Sequence, residues 1–139
     1  MNTHVLASSE TAESLKAFAP GLTTERLVAA LRAGRSFAAF NLLADAGGFR
    51  FAAHAGDAGP VVAVLGDEVP MQAGLVLTAQ SPIPGLLELL RDGVPIRRQE
   101  GRELRHQVDR PGVYRVEVSL KVVDRWRPWI FANPIYVRA

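Results

Sequence analysis

The sequence predicts a mainly β fold, an antiparallel sandwich of about eight or nine strands, and three features carry that prediction. From Tyr114 to Val122 apolar and polar residues alternate strictly, so one face of a strand would lie in the core and the other in solvent. Asp92-Gly93 separates two apolar runs and is typical of a two-residue hairpin turn. Short apolar runs also recur between turns across residues 36–139, which favours two packed sheets.

A tyrosine stands at the start of the alternating segment, shortly after the dipeptide Pro111-Gly112. Proline fixes one φ angle and glycine permits another, which is the chemistry of a tight turn. Immunoglobulin-like sandwiches have a tyrosine at such a corner, and its hydroxyl bonds back to the turn backbone. We therefore predict an immunoglobulin-like antiparallel β-sandwich in which Tyr114 begins a central strand.

The N-terminal segment, residues 1–35, has a different pattern and is predicted to hold one or two short helices. A first helix would begin after Ser8 or Ser9, and a better one spans about residues 24–33, capped by Thr23 or Thr24. Gly34 is a natural residue to follow the end of that helix. We interpret residues 1–35 as a linker or docking piece and residues 36–139 as the sandwich.

The strands within the sandwich follow from the apolar runs. They are predicted at Ser36–Asn41, Phe49–His54, Val61–Leu65, around Leu75–Ala79, Leu86–Arg91, Val94–Arg98, Glu103–Val108 and Tyr114–Val122, with a last strand joining Trp129–Phe131 to Ile135–Val137. Ser81-Pro82-Ile83-Pro84 is predicted to be a rigid connection because two prolines remove ladder donors. Pro134 predicts an edge or a bulge in the last strand.

Composition narrows the functional classes. The chain has 139 residues, 48% hydrophobic and 22% charged, and a net charge of +2, which fits one globular domain. It has no cysteine, and hence neither a disulfide nor a thiolate zinc site. We see no signal peptide and no apolar run long enough for a membrane span, so a cytoplasmic location is the default expectation. The preference for arginine over lysine indicates either anion recognition or a GC-rich coding sequence, and we favour the latter.

Four segments, in this order and spacing, look familiar. They are Ala30-Leu31-Arg32-Ala33-Gly34-Arg35-Ser36-Phe37, Leu89-Leu90-Arg91-Asp92-Gly93, Pro111-Gly112-Val113-Tyr114-Arg115-Val116-Glu117 and Trp129-Ile130-Phe131-Ala132-Asn133-Pro134-Ile135-Tyr136-Val137. Together they resemble the C-terminal end of PHP-type (polymerase and histidinol phosphatase-like) metal-dependent phosphoesterases. In some of those enzymes an immunoglobulin-like sandwich follows the catalytic barrel. The resemblance covers about residues 4 to 138.

The resemblance does not extend to the catalytic residues. It implies a His-x-His pair, further histidine and acidic ligands and a late Asp-x-His, which hold metals that activate water. This chain has only His4, His54 and His106, isolated from one another, and neither motif. We therefore expect no catalytic residue, no metal and no cofactor in this chain, while the parent family consists of hydrolases.

Each histidine has a modest alternative role. His54 and Asp57 could offer two metal ligands at the end of a strand, but we favour a solvated loop, because two ligands make a weak site. His106 is predicted to face solvent. His4 would belong to the junction with a catalytic domain.

Two further groups are candidate ligand or interface residues. Arg97, Arg98, Arg102 and Arg105 could hold phosphate groups around a turn, but we favour a charged, solvated edge strand. Trp126 and Trp129 could form an aromatic platform, but we favour Trp129 and Phe131 in the core, with Trp126 partly covering a loop. Nucleic-acid binding would need a broader basic stripe, so we do not expect it.

The sequence thus supports two functional hypotheses. The first is a non-catalytic accessory domain whose partner is a PHP catalytic barrel, with the chain itself monomeric or a weak homodimer. The alternative is a free-standing binding module for a glycan or an anionic ligand, built on Trp126 and Trp129 or on the Arg97–Arg105 edge.

Overall fold

The computed structural model describes residues 2–5, 32, 34–40 and 43–139, and these residues form ten β-strands. The strands are β1 (Asn2–Val5), β2 (Ser36–Ala39), β3 (Arg50–Ala55), β4 (Val61–Val64), β5 (Glu68–Pro70), β6 (Leu75–Arg91), β7 (Val94–Gln107), β8 (Gly112–Val122), β9 (Arg125–Ala132) and β10 (Ile135–Arg138). The predicted mainly β, antiparallel fold class is confirmed. Apart from Arg32, the helices predicted before Gly34 lie outside the described residues.

The strands join into one hydrogen-bonded sheet that curls into a half-barrel. Its main order is β1-β2-β9-β8-β6-β3-β4, with β7 added to β6 and with β10 between β8 and β5. All of these pairs are antiparallel except β10 with β5. The two layers of the fold are therefore the two walls of a single curled sheet.

The walls separate within the long strand β6. Strand β7 pairs along both halves of β6, whereas β3 pairs with residues 75–80 and β8 with residues 86–91. A strand has two hydrogen-bonding edges, so β3 and β8 must share the edge opposite β7. The sheet forks between them at Ser81–Pro84. This segment is inside a continuous strand rather than the predicted connection, and its prolines lie where neither β3 nor β8 needs a donor.

The core fills the inside of the curl. The residues predicted to face the core are buried: Phe49, Phe51 and Ala53; Leu75, Leu77 and Ala79; Tyr114, Val116, Val118 and Leu120. Val76 is buried as well, so the alternation is incomplete at the start of β6. Val122 breaks the prediction because it is exposed. The pairing of β8 with β6 ends at Ser119, so the last residues of β8 extend past the wall that would cover them.

The tyrosine corner is present. The ring of Tyr114 is fully buried, and its hydroxyl donates a hydrogen bond of 2.7 Å to the carbonyl oxygen of Arg110. Gly112 does not have a positive φ. It allows close packing instead, because a Cβ atom there would lie 2.9 Å from Cγ of Arg91.

Two hairpins flank the centre of the sheet. The two-residue hairpin turn predicted at Asp92-Gly93 is confirmed, and the φ angles of 52° and 83° are those of a type I′ turn. Val123 and Asp124 make a second turn with φ angles of 48° and 62°, between β8 and β9. The sequence analysis missed this turn because it contains no glycine.

Several other boundaries differ from the prediction. The predicted last strand is two strands, β9 and β10, which lie at the same edge of β8 and part at Pro134. The two strands predicted within residues 94–108 are one edge strand, β7, interrupted at Gly101. Strand β5 was not predicted, and β1 lies in the segment interpreted as a linker. Both are three or four residues long, too short for a periodic pattern to be recognised.

Candidate functional site

The three histidines lie in different elements. His54 is in β3, where Nδ1 is 3.1 Å from the carbonyl oxygen of Gly59 and Nε2 is 2.9 Å from the hydroxyl of Thr78. The solvated-loop interpretation of His54 was therefore wrong, because both ring nitrogens are occupied by structural contacts. Asp57 contacts Arg105 instead, with 3.4 Å between Oδ1 and Nη2. Only the backbone of His4 is described, in β1.

Among the described residues, no group of three or more histidine, cysteine, aspartate or glutamate side chains is placed to hold an ion. In the same part of the chain, no helix combines the length and the apolar character that crossing a bilayer requires.

His106 does not face solvent freely, as the sequence analysis expected. Its Nε2 atom is buried and has no hydrogen-bond partner among the described residues, and its ring centroid lies 6.2 Å from that of Tyr114. Burial lowers the pKa of His106 below the usual histidine value, and the positive charges of Arg97 and Arg91 add to this effect. Asp109 opposes it. Strand alternation places residue 106 on the same face as the buried Leu104, which explains the burial.

Acidification should therefore destabilise the fold through His106. Because its folded pKa is depressed, the unfolded chain binds the proton more readily, and the contribution to stability is fully present only above about pH 6.5. It is lost as the pH falls from there through the lower folded pKa. We expect the free energy of unfolding, measured by urea denaturation between pH 7.5 and 5, to fall less steeply in His106→Gln than in the unmodified chain. If the free energy of unfolding fell equally steeply with pH in the two proteins, the pH dependence could not be assigned to His106.

The arginines of β7 lie on an outer strand of the sheet. Among the described residues strand β7 pairs with β6 alone, which makes it an edge strand, and charged side chains protect such an edge from pairing with other chains. Arg98 makes a 2.6 Å ion pair with Glu88, and Arg105 donates to the carbonyl oxygen of Asp57 at 2.7 Å. Arg97 and Arg102 are exposed and have no ion pair with any described residue. The favoured interpretation, a solvated charged edge, fits this arrangement.

The two tryptophans have opposite environments. Trp129 is fully buried, and its Nε1 donates a hydrogen bond of 2.9 Å to the carbonyl oxygen of Ala44. Phe131 is partly buried. Trp126 is 38% exposed. An aromatic platform at this end of β9 would have to consist of Trp126 alone.

The surface of the described residues includes two grooves. The larger, about 650 Å³, lies on the outer face of β4, β3, β6 and β7. Most of its polar groups already have partners, since His54 contacts Thr78 and Arg35 contacts Asp67 at 3.2 Å. The smaller, about 480 Å³, is lined by Trp126, and we call it the Trp126 groove. In the larger groove the hydroxyl of Thr78 lies 2.9 Å from Nε2 of His54, whereas the residues that line the smaller groove include no histidine, serine, threonine or cysteine.

Residues at the start of the sandwich hydrogen-bond to a residue near the end of the sandwich. Asn133 donates from Nδ2 to the carbonyl oxygen of Gly34 and to the hydroxyl of Ser36, both at 2.9 Å. Gly34 has a φ of +72°, and a Cβ there would lie 3.4 Å from Cα of Gly66. We call these four residues the joint. Asn133 belongs to one of the four motif segments, but the sequence analysis predicted no contact for it, because its partners are about a hundred residues away.

The comparisons with known proteins assign no family. No protein-family model matches the chain, and neither the curated proteins nor the solved structures that were searched contain a match. The functional conclusion therefore depends on the residues and their geometry.

Proposed function

We propose that this chain is a non-catalytic accessory domain of a PHP-type metal-dependent phosphoesterase. Its sandwich would pack beside the catalytic barrel and shape the mouth of the active site, and its N-terminal segment would connect the two. The chain by itself would be folded and inactive, monomeric or weakly associating.

The contacts among the motif segments carry the proposal. The first segment meets the last through Asn133, which hydrogen-bonds Gly34 and Ser36. The second meets the third through Asp92, whose Oδ1 accepts a 2.9 Å hydrogen bond from the backbone N–H of Val113. Residues that resemble the family thus contact one another at the places that fix strand order, which favours a role in folding over a chemical role. Both ring nitrogens of His54 make structural contacts and Nε2 of His106 is buried, and these surroundings support the same proposal.

A phosphodiesterase assay tests whether the chain by itself is inactive. We expect the chain, incubated with bis(p-nitrophenyl) phosphate and either Mn²⁺ or Zn²⁺, to release no more nitrophenol than the metal alone. Metal-dependent turnover that is lost in His54→Ala or His106→Ala would contradict the proposal, because the chain would then hold its own active site.

A separate test asks whether the chain is part of, or a partner of, a PHP-type phosphoesterase, which we call its parentage. We expect the genomic DNA around this coding sequence, upstream in the same frame or in a neighbouring gene, to encode a PHP barrel with His-x-His and Asp-x-His motifs. An unrelated catalytic domain in that position, or several genomes that carry this chain with no PHP barrel at all, would contradict the parentage while leaving the accessory role open.

A further inference from the structure

The Trp126 groove lies beside the fork in the sheet. Pro84 and Gly85 line it from the fork, Glu100 and Gly101 from β7, and Lys121 and Trp126 from the hairpin of β8 and β9. Residues from three parts of the chain thus meet there only in the folded protein. The groove is open to solvent, a shape that suits part of an extended ligand better than an enclosed small molecule.

Part of its floor is bare backbone, at Gly101. Gly85 and Gly101 are directly opposite each other in the pairing of β6 with β7. A Cβ at Gly101 would meet nothing within 4 Å, so the space above it is open. A ligand can therefore approach the backbone closely at Gly101, whereas the space that a Cβ of Gly85 would take is filled by the backbone oxygen of Ser119, 2.6 Å away.

One wall is aromatic. Trp126 is 38% exposed and is directly opposite Lys121 in the pairing of β8 with β9, so the two side chains share a face. The indole N–H of Trp126 has no hydrogen-bond partner among the described residues, in contrast to that of Trp129. An exposed indole offers a flat apolar surface together with a free donor, and both suit a ligand that is apolar on one face and polar at its edges.

The charges at the groove define the ligand further. Glu100 supplies a carboxylate and Lys121 an ammonium group, and within the described part of the chain neither side chain makes an ion pair or a hydrogen bond. One charge of each sign gives no net attraction for a polyanion or a polycation. Together the two groups supply strong acceptors and donors for hydroxyl groups.

We propose that the Trp126 groove binds a neutral saccharide chain. The apolar face of one sugar ring stacks on the indole of Trp126, and Glu100 and Lys121 hydrogen-bond its hydroxyl groups. The arginines of β7 take no part, so binding should depend little on salt concentration. This inference concerns a ligand of the sandwich itself and holds whether or not a PHP barrel is the partner.

The two tryptophans allow a direct assay. Trp129 is buried and serves as an internal reference, so any fluorescence change on titration reports on Trp126. The probes are cellohexaose, xylohexaose and maltohexaose. We expect a saturable change in emission with at least one of these hexasaccharides, and an affinity that changes less than about twofold between 50 and 500 mM NaCl.

Calorimetric titration of variants locates the site. We expect Trp126→Ala to weaken binding by about tenfold or more, and Glu100→Gln and Lys121→Gln by several-fold each. Val94→Ala, an exposed apolar change at the tip of the other hairpin, should bind as the unmodified chain does. Thermal melts confirm that each variant is folded.

Three results would overturn the proposal. They are the absence of saturable binding to all three hexasaccharides, binding that Trp126→Ala leaves unchanged, and binding to decaproline or heparin in place of the sugars. A decaproline ligand would assign the groove to peptides, and a heparin ligand that is lost on Arg97→Ala would assign binding to the charged edge.

Discussion

Replacing Trp129 with alanine should lower the free energy of unfolding by about 3–5 kcal/mol, the largest effect we expect of any single side-chain truncation here. The side chain is fully buried in the core, so truncation leaves a cavity. The change also removes the donor to the carbonyl oxygen of Ala44 and leaves that group without its partner. Urea denaturation monitored by far-UV circular dichroism measures the effect without relying on tryptophan emission.

Trp126→Ala is the matched control, because the same atoms are removed from an exposed position of the same strand. We expect it to change the free energy of unfolding by less than about 1 kcal/mol. Trp129→Phe should fall between the two, since it keeps most of the volume and loses the hydrogen bond. Equal destabilisation by the two alanine variants would contradict the different environments of Trp126 and Trp129.

Gly85→Ala should destabilise the fold by about 1–3 kcal/mol although it adds a single methyl group. The new Cβ would lie 2.6 Å from the backbone oxygen of Ser119 and 3.2 Å from Cγ1 of Val118. A backbone oxygen cannot rotate away, so β6 and β8 would have to separate at the fork. Chemical denaturation measures the loss, and the lower entropy of the unfolded alanine chain offsets part of it.

Gly112→Ala provides the comparison. Gly112, like Gly85, has no positive φ, but a Cβ there would press on the Arg91 side chain, which can change rotamer. We expect a loss below about 1 kcal/mol. If Gly85→Ala proved as stable as the unmodified chain, β6 and β8 would not approach as closely as the fork requires.

The candidate site was predicted less completely than the fold. Trp126, Glu100 and Gly101 are ordinary residues in the sequence, and their spacing along the chain carries no signal of a groove. The environments of His54 and His106 were wrong in the sequence analysis for the same reason. His54 contacts Thr78 and a carbonyl oxygen of the following loop, and the ring of His106 lies near that of Tyr114 with Nε2 buried. A residue's own strand pattern does not reveal which partner a neighbouring strand presents.

The sequence alone determined the β class, the alternation along β3 and β8, the Asp92-Gly93 turn and the tyrosine corner. These features are local, since a period of two and the φ preferences of a few turn residues are properties of short segments. Only the tertiary structure decided that β6 forks, that β9 and β10 are separate strands, and that Trp129 is buried while Trp126 borders a groove. Those outcomes depend on which strand edges pair across dozens of residues, and strand edges have the same backbone donors and acceptors whatever the local pattern.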